Sequence, residues 1–275
     1  MDQVLLSAKR GNFEDCVQLA SQFRLGIEIV TFAFPDVLDG DWQGLLREYK
    51  DALSVVRGPI TIHGPFLDMA PGSPDKRINE VCKARYKHGI HIASQLHARF
   101  IVFHANFIAA IHNPEYRTGW HQRNLVFWHE MAEYAEEHGV VIAIENMWEF
   151  DPYIIGDLLR EINHPYLRAC IDVGHAHLFS IQQDENLSFE TWLRVLEPYL
   201  VHFHMNNNDG KLDVHKGFPG GALDYQSILK RVRQLRRKPT ITLEMEVVDD
   251  MRASLPYFDL PTSTRELEVV MAGGV

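Results

Sequence analysis

Short apolar segments, rich in β-branched and aromatic residues, alternate with longer amphipathic segments along most of the chain. Eight short segments predict strands: Val4–Ala8, Gly26–Thr31, Ile60–His63, Phe100–His104, Val140–Glu145, Leu167–Asp172, Leu200–His204 and Thr240–Glu244. Seven longer ones predict helices: Asn12–Ser21, Trp42–Val55, Asp75–Leu96, Arg123–His138, Pro152–Ile162, Phe189–Glu197 and Tyr225–Leu235. VVIAI and FIVF are apolar on both faces, as expected for parallel strands between helices and a barrel interior. The pattern therefore predicts an α/β fold, a (β/α)8 TIM barrel.

The length and composition fit one large domain. The chain has 275 residues, 46% of them hydrophobic, which suffices for a sizeable core. An open, doubly wound sheet is the main competitor, but the GxGxxG motif expected after its first strand is missing. We therefore expect residues 1–275 to form a single TIM-barrel domain, with Asp75 and Asp151 as helix N-caps.

Charge and cysteine content limit the partners and the compartment. With 27 Lys and Arg against 37 Asp and Glu, the net charge of −10 disfavours nucleic acid or anionic membrane as a partner. Cys16, Cys82 and Cys170 are too widely spaced to suggest disulfides or a thiolate zinc site. We find no signal peptide and no apolar run of 18 residues, so we expect a soluble cytoplasmic protein without a membrane partner. A homo-oligomer is compatible with the sequence.

Ionisable residues stand at the ends of six successive predicted strands. From the third strand onward these residues are His63, His104, Glu145, Asp172, His204 and Glu244. Active sites of TIM barrels lie at the carboxyl ends of the strands. His175 follows the sixth strand, and Asp213 and His215 follow the seventh. These nine candidate ligands include five of the fifteen histidines in the chain.

Four carboxylates at one barrel mouth would repel one another unless cations neutralised them. A divalent metal is the simplest such cation. With neutral imidazoles the nine residues carry −4, so one divalent ion leaves −2, two leave zero, and three leave +2. A site at −2 has carboxylates available for proton transfer, whereas a site at +2 would attract a phosphate group.

Six short motifs surround these residues, and they occur in one order along the chain. They are HGPF, VFHAN, IENM, IDVGHAH, HFHMNNNDGKLDVHKGFPGG and LEME. Together they resemble the xylose isomerase-like TIM-barrel superfamily, which contains the sugar phosphate isomerase/epimerases and endonuclease IV. The resemblance implies a barrel with metal at its C-terminal mouth.

The isomerase/epimerase branch implies one divalent ion, commonly manganese, held by Glu145, Asp172, His204 and Glu244. In that branch the ion polarises an open-chain sugar, while Glu145 and Glu244 exchange protons with its carbon on opposite faces. His63, His104, His175, Asp213 and His215 would then be further metal ligands or would bind the sugar substrate.

The endonuclease IV branch implies three zinc ions that generate hydroxide for attack on a phosphodiester. The resemblance assigns all nine residues to the three ions: His63, His104 and Glu145 to the first; Glu145, Asp172, His204 and Glu244 to the second; His175, Asp213 and His215 to the third.

Other positions distinguish the two branches. After the fifth strand, the endonuclease IV branch implies an alanine-glycine motif, whereas this chain has Glu145–Glu149 (ENMWE). The loop Thr31–Trp42 contains three Asp and no Lys or Arg, although a duplex-binding face should be basic. Phe66-Leu67 resembles the aromatic-leucine pair that endonuclease IV wedges into DNA. The glycine-rich loop after His204 is more similar to the isomerase/epimerases. The hypothesis is therefore a metal-dependent (Mn²⁺ or Zn²⁺) sugar or sugar phosphate isomerase/epimerase, with an endonuclease IV-like hydrolase as the alternative.

The sequence also predicts positions for two aromatic residues and one further histidine. Phe66 and Trp148 follow strand ends and are expected to line a substrate pocket. His202 lies two residues before His204, so its side chain should point inward one layer deeper, as a hydrogen-bonded core residue.

Overall fold

The fold is a closed barrel of eight parallel strands, seen in a computed structural model that describes residues 2–111 and 113–260. The strands are β1 (Val4–Ala8), β2 (Gly26–Ile29), β3 (Ile60–His63), β4 (Phe100–His104), β5 (Val141–Glu145), β6 (Leu167–Asp172), β7 (Leu200–Met205) and β8 (Thr240–Leu243). Each strand pairs with the next in sequence, and β8 pairs with β1. The predicted (β/α)8 barrel is confirmed, with strand ends within two residues of those expected.

Ten α-helices are found among the described residues: α1 (Phe13–Phe23), α2 (Pro35–Leu38), α3 (Trp42–Leu53), α4 (Lys76–Gln95), α5 (Pro114–Glu137), α6 (Tyr153–Ile162), α7 (Val173–Ala176), α8 (Phe189–Leu196), α9 (Tyr225–Val232) and α10 (Val248–Ser254). Both predicted capping carboxylates act at helix starts. Asp75 accepts a hydrogen bond from the backbone N–H of Arg77, and Asp151 accepts from those of Tyr153 and Ile154.

The main difference from the sequence prediction is the start of α5, which lies nine residues before Arg123. Asn113 caps the helix by accepting from two backbone N–H groups, and Pro114 occupies the first helical position, where its missing donor costs nothing. Helices α2, α7 and α10 were not predicted. Each has seven residues or fewer, too short for a periodic pattern to be recognised.

Aromatic side chains fill the space between the barrel and its outer helices. Phe103 stacks on Tyr86 with ring centroids 4.1 Å apart, and Trp128 packs against both. This packing holds β4, which ends at His104, against α4 and α5. Of the predicted single domain, residues 1, 112 and 261–275 lie outside the described residues. Within the described part, no helix combines the length and the apolar character needed to cross a membrane.

Candidate metal centre

The closed barrel brings all nine predicted ligands to its C-terminal mouth. Four of them end β3, β4, β5 and β6, His204 lies one residue before the end of β7, and Glu244 follows β8. Their ligand atoms form four groups, each within 4.8 Å: His63, His104 and Glu145; Glu145, Asp172, His204 and Glu244; His175, Asp213 and His215; and His63, His204 and Glu244, which overlaps the first two.

Glu145 belongs to two of these groups. Its Oε1 lies 3.1 Å from Nδ1 of His204, whereas its Oε2 lies 3.5 Å from Nε2 of His63 and 3.4 Å from Nε2 of His104. The side chain has no exposed surface. The two carboxylate oxygens therefore face two different ligand groups, and the two groups form one continuous cluster.

Hydrogen bonds to backbone carbonyls orient three of the imidazoles. Nδ1 of His63 lies 2.9 Å from the carbonyl of Gly64, and Nδ1 of His175 lies 3.0 Å from that of Asn146. Nδ1 of His215 lies 2.9 Å from the carbonyl of Glu244. A carbonyl only accepts, so each Nδ1 carries the proton. With Nε2 deprotonated, each ring would present a lone pair to a bound metal ion, as metal-binding histidines do. Without metal, Nε2 of His175 and Nε2 of His215 face Asp213.

The third group is held together by Asp213. Its Oδ2 lies 3.1 Å from Nε2 of His175, and its Oδ1 lies 3.2 Å from Nε2 of His215. His215 has a positive φ of 44°, a conformation that turns the loop back toward the barrel. Asn207 anchors the same loop, because its side chain accepts from the N–H of Leu223 and donates to the carbonyl of Phe218.

Two asparagines and one backbone N–H fix the position of Asp172. Nδ2 of Asn206 donates to Oδ2 of Asp172 at 2.8 Å, and the backbone N–H of His175 donates to Oδ1 at 2.6 Å. The Asn146 amide pairs with both backbone groups of Asp172. The carboxylate is therefore positioned before any ligand binds.

The ionisation of these groups depends on their neighbours. Burial raises the pKa of Asp172 to about 7. Burial acts to raise the pKa of Glu244 as well, but the positive charge of His204 prevails and lowers that pKa to about 2. Burial opposes the charged form of His215, yet the hydrogen bond with Asp213 raises its pKa to about 9. Protons on imidazoles thus balance the carboxylates when no other cation is bound.

The site fits divalent cations. Both oxygens of Glu145, Oε2 of Glu244 and both ring nitrogens of His204 are buried and have no hydrogen-bond partner among the described residues. Buried polar atoms without partners are costly, and facing carboxylate oxygens and imidazole lone pairs are the donors that zinc and similar metals prefer. Such ions would satisfy these atoms and neutralise the carboxylates.

A cavity of about 270 Å³ opens above the ligand groups. Phe66 lines the cavity, and the centroid of its ring lies 5.3 Å from that of His104. Trp148 is not among the described residues that line the cavity, and it is 42% exposed. Glu149 accepts from the backbone N–H of Met147, and Met147 rather than Trp148 faces the cavity.

The sequence prediction missed two features of the site. Lys9, which follows β1, pairs with Glu246 at the cavity wall. Glu28 lies in β2 with no exposed surface, beside His204. A carboxylate inside the apolar stretch GIEIV was the available signal for Glu28. His202 points into the interior and bonds to Glu28, as a hydrogen-bonded core residue would.

Residues 18–265 match a family model described as a xylose isomerase-like TIM barrel. The chain belongs to this family. It is 24% identical over 211 residues, 74% of the chain, to the uncharacterized protein MJ1311 of Methanocaldococcus jannaschii, of which 69% is covered.

Two solved structures are similar over nearly the whole chain. The TTHB071 protein of Thermus thermophilus, from a crystal soaked with ZnCl2, has a TM-score of 0.77, 25% identity and full coverage of both chains. A D-tagatose 3-epimerase-like protein also has a TM-score of 0.77, with 19% identity, and the match covers 99% of this chain and 100% of that protein. The second likeness shows the shared fold.

Proposed function

We propose that this protein is a divalent-metal-dependent isomerase/epimerase that acts on a sugar or sugar phosphate. The observation that carries the proposal is the juxtaposition of the group Glu145, Asp172, His204 and Glu244 with a concave cavity of about 270 Å³. A cavity of that size suits one small molecule rather than a duplex. The family match and the fold shared with a D-tagatose 3-epimerase-like protein support the same class.

In this proposal the chain binds the ion through Glu145, Asp172, His204 and Glu244. A bound Mn²⁺ or Zn²⁺ would polarise the carbonyl and hydroxyl oxygens of an open-chain sugar. The side chain of Glu244 is 14% exposed and lines the cavity, so it can exchange a proton with a substrate carbon. His63, His104, His175 and Asp213 line the same cavity and can hydrogen-bond sugar hydroxyls.

The two glutamates differ in their access to substrate. Glu145 has no exposed surface, and its oxygens lie within 4 Å of four imidazole nitrogens. Of the proposed proton-transfer pair, Glu244 is therefore the substrate-facing member, and Glu145 lies below it as a ligand. This arrangement modifies the symmetrical pair expected from the sequence.

One observation favours a second candidate, a phosphoester hydrolase with three zinc ions. All nine ligands of the endonuclease IV pattern are assembled, and Glu145 connects the first two groups. Three divalent ions would leave this cluster at +2, a charge suited to a phosphate. The 25% identity to a protein studied in a ZnCl2-soaked crystal is compatible with zinc.

Metal content and reaction type together distinguish the two candidates. Elemental analysis of protein purified without added metal should give one ion per chain for the isomerase and three zinc ions for the hydrolase. In parallel, a panel of ketoses, aldoses and sugar phosphates is incubated in D₂O, and deuterium at carbon is measured by NMR. Hydrolysis of phosphoesters or of an abasic-site duplex, without carbon exchange, would refute the isomerase/epimerase.

Two variants and one control test the assigned residues. Glu244→Gln should abolish deuterium exchange, because it removes the proposed base. Asp213→Asn should reduce isomerisation only in part, whereas it should eliminate a three-zinc hydrolase. Asp249→Asn is the control, since this exposed acid on α10 lies outside the ligand groups.

A further inference from the structure

A layer of polar side chains lies inside the barrel, beneath the ligand groups. It consists of Glu28 on β2, Thr61 on β3, His202 on β7, and Thr240 and Thr242 on β8, each with no exposed surface. Barrel interiors are ordinarily filled by branched apolar side chains. A carboxylate at this depth is costly unless its neighbours compensate for its charge.

The two oxygens of Glu28 have different neighbours. Oε2 accepts a hydrogen bond of 2.8 Å from Oγ1 of Thr61 and lies 3.1 Å from Nε2 of His202. Oε1 lies 2.7 Å from Nε2 of His204, but the two atoms do not have the geometry of a hydrogen bond, and neither has another partner among the described residues. One oxygen is thus anchored within the layer, and the other faces a proposed metal ligand.

The ring of His204 is turned the other way from those of His63, His175 and His215, so that Nδ1 rather than Nε2 faces the ligand group. His63, His175 and His215 direct Nδ1 to a backbone carbonyl and Nε2 to the site. His204 instead directs Nδ1 to Oε1 of Glu145 at 3.1 Å and Nε2 to Glu28. For Nδ1 to present a lone pair, Nε2 must carry the ring proton.

The position of His204 explains why a side chain has to accept that proton. His204 points into a closed barrel, where the strand carbonyls are used by the hydrogen bonds of the sheet. A carboxylate that accepts from the second ring nitrogen fixes the tautomer and the plane of the imidazole, and raises its basicity as a ligand.

We infer that Glu28 is the positioning residue for His204: with a metal ion on Nδ1, Oε1 of Glu28, which lies 2.7 Å from Nε2, would accept the Nε2 proton and thereby hold Nδ1 as the ligand atom of the group Glu145, Asp172, His204 and Glu244. This inference rests on the proposed metal centre but is independent of the reaction performed there. It also accounts for a buried carboxylate that no substrate can reach.

The test measures metal affinity in Glu28→Gln, which keeps the shape of the side chain and removes its charge. Wild type and variant are stripped with a chelator and titrated with ZnCl2 against a competing indicator. Glu28→Gln should weaken one zinc affinity about 10–100-fold, the usual effect of removing a carboxylate behind a metal-binding histidine. An unchanged affinity would overturn the inference.

Two isosteric variants supply a second comparison if Glu28→Gln folds poorly. Thr61→Val removes the hydroxyl that anchors Glu28 and should weaken zinc binding in the same direction but less. Thr240→Val removes a hydroxyl of the same layer that bonds to Nδ1 of His202, and it should leave zinc affinity unchanged. Equal losses in both threonine variants would show a general effect of the layer and contradict a specific role for Glu28.

Thermal melting separates positioning from simple packing. The difference in Tm between zinc-loaded and stripped protein should shrink in Glu28→Gln, whereas a merely structural role would lower both Tm values alike. If wild-type protein binds no zinc, manganese or cobalt, the proposed centre and this inference both fail. If wild type binds metal and Glu28→Gln binds it equally well, only the role of Glu28 fails.

Discussion

Oε1 of Glu145 lies 3.1 Å from Nδ1 of His204, while Oε2 of the same carboxylate faces His63 and His104 at 3.5 and 3.4 Å. One carboxylate therefore connects two ligand groups that the sequence presents as separate motifs. Any ion bound in one group would share a ligand with an ion in the other. The groups should consequently respond together when Glu145 is changed.

Replacement of Glu145 by Gln should lower metal binding more than replacement of His104 by Gln. The first change removes a charged ligand from two groups, whereas the second removes one neutral ligand from one group. Elemental analysis after dialysis against limiting zinc measures the difference. Glu149→Gln is the control, because this buried acid in the same loop bonds only to backbone N–H groups among the contacts described. Equal retention in the Glu145 and His104 variants would contradict a shared carboxylate.

Zinc or manganese should raise the thermal stability of chelator-treated protein. The bound ion would satisfy the buried atoms of Glu145, Glu244 and His204 that have no hydrogen-bond partner among the described residues. At a hundredfold excess over Kd, binding to the native state alone stabilises it by about 2.7 kcal/mol. Differential scanning fluorimetry with and without ZnCl2 tests this expectation, and a Tm that is insensitive to metal would refute it. Asp172→Asn, in the same measurement, should show a smaller rise.

Gly64→Ala should destabilise the protein by about 1–3 kcal/mol, the usual cost of overpacking a core. A Cβ at this position would lie 2.1 Å from a ring carbon of Phe103, which is itself stacked on Tyr86. Because the carbonyl of Gly64 also accepts from His63, metal binding should weaken as well. Gly11→Ala is the matched control, since its Cβ would meet nothing within 4 Å. Urea unfolding of both variants provides the comparison, and equal midpoints would contradict the packing argument.

Asp2→Asn should cost about 1 kcal/mol near neutral pH and nothing in strong acid. Burial acts to raise the pKa of Asp2, but hydrogen bonds from Arg233 and from the backbone N–H of Asp259 prevail and lower it. A depressed folded pKa stabilises the native state above the unfolded value of about 3.9, and this stabilisation is lost as pH falls through the folded pKa. Urea unfolding from pH 7 down to pH 2 should show the wild-type advantage shrink below about pH 4; a constant difference would disprove the linkage.

The prediction of the fold succeeded where local patterns carry the information. Strand β4 reads FIVFH and is buried throughout, so its period and composition indicate a strand between two covered faces. The start of α5 at Pro114 was missed because the signal there is one capping contact from Asn113 rather than a repeating apolar pattern. Short elements such as α7 escaped for the same reason.

The candidate site divides in a similar way. A candidate ligand such as His104 or Asp172 could be located from sequence because it ends a recognisable strand, and parallel strands in a closed barrel all end at the same mouth. A role in the site could not be assigned to Lys9, which follows β1, or to Glu28, which lies in β2. Their contacts are with Glu246 and His202, residues more than 170 positions away in the sequence. Trp148 was expected at the cavity wall, but the backbone N–H of its neighbour Met147 bonds to Glu149, and Met147 lines the cavity instead.

The amino-acid sequence by itself determined the eight strands, the seven longer helices between them and the chemical identity of the nine candidate ligands, because periodicity and residue type are local properties. Tertiary structure decided which oxygen of Glu145 faces which imidazole, and placed the carboxylate of Glu28 behind His204. Those relationships depend on closure of the barrel, which brings β2 and β7 side chains together across its interior. A periodic sequence pattern gives no information about which side chains of β2 and β7 meet there.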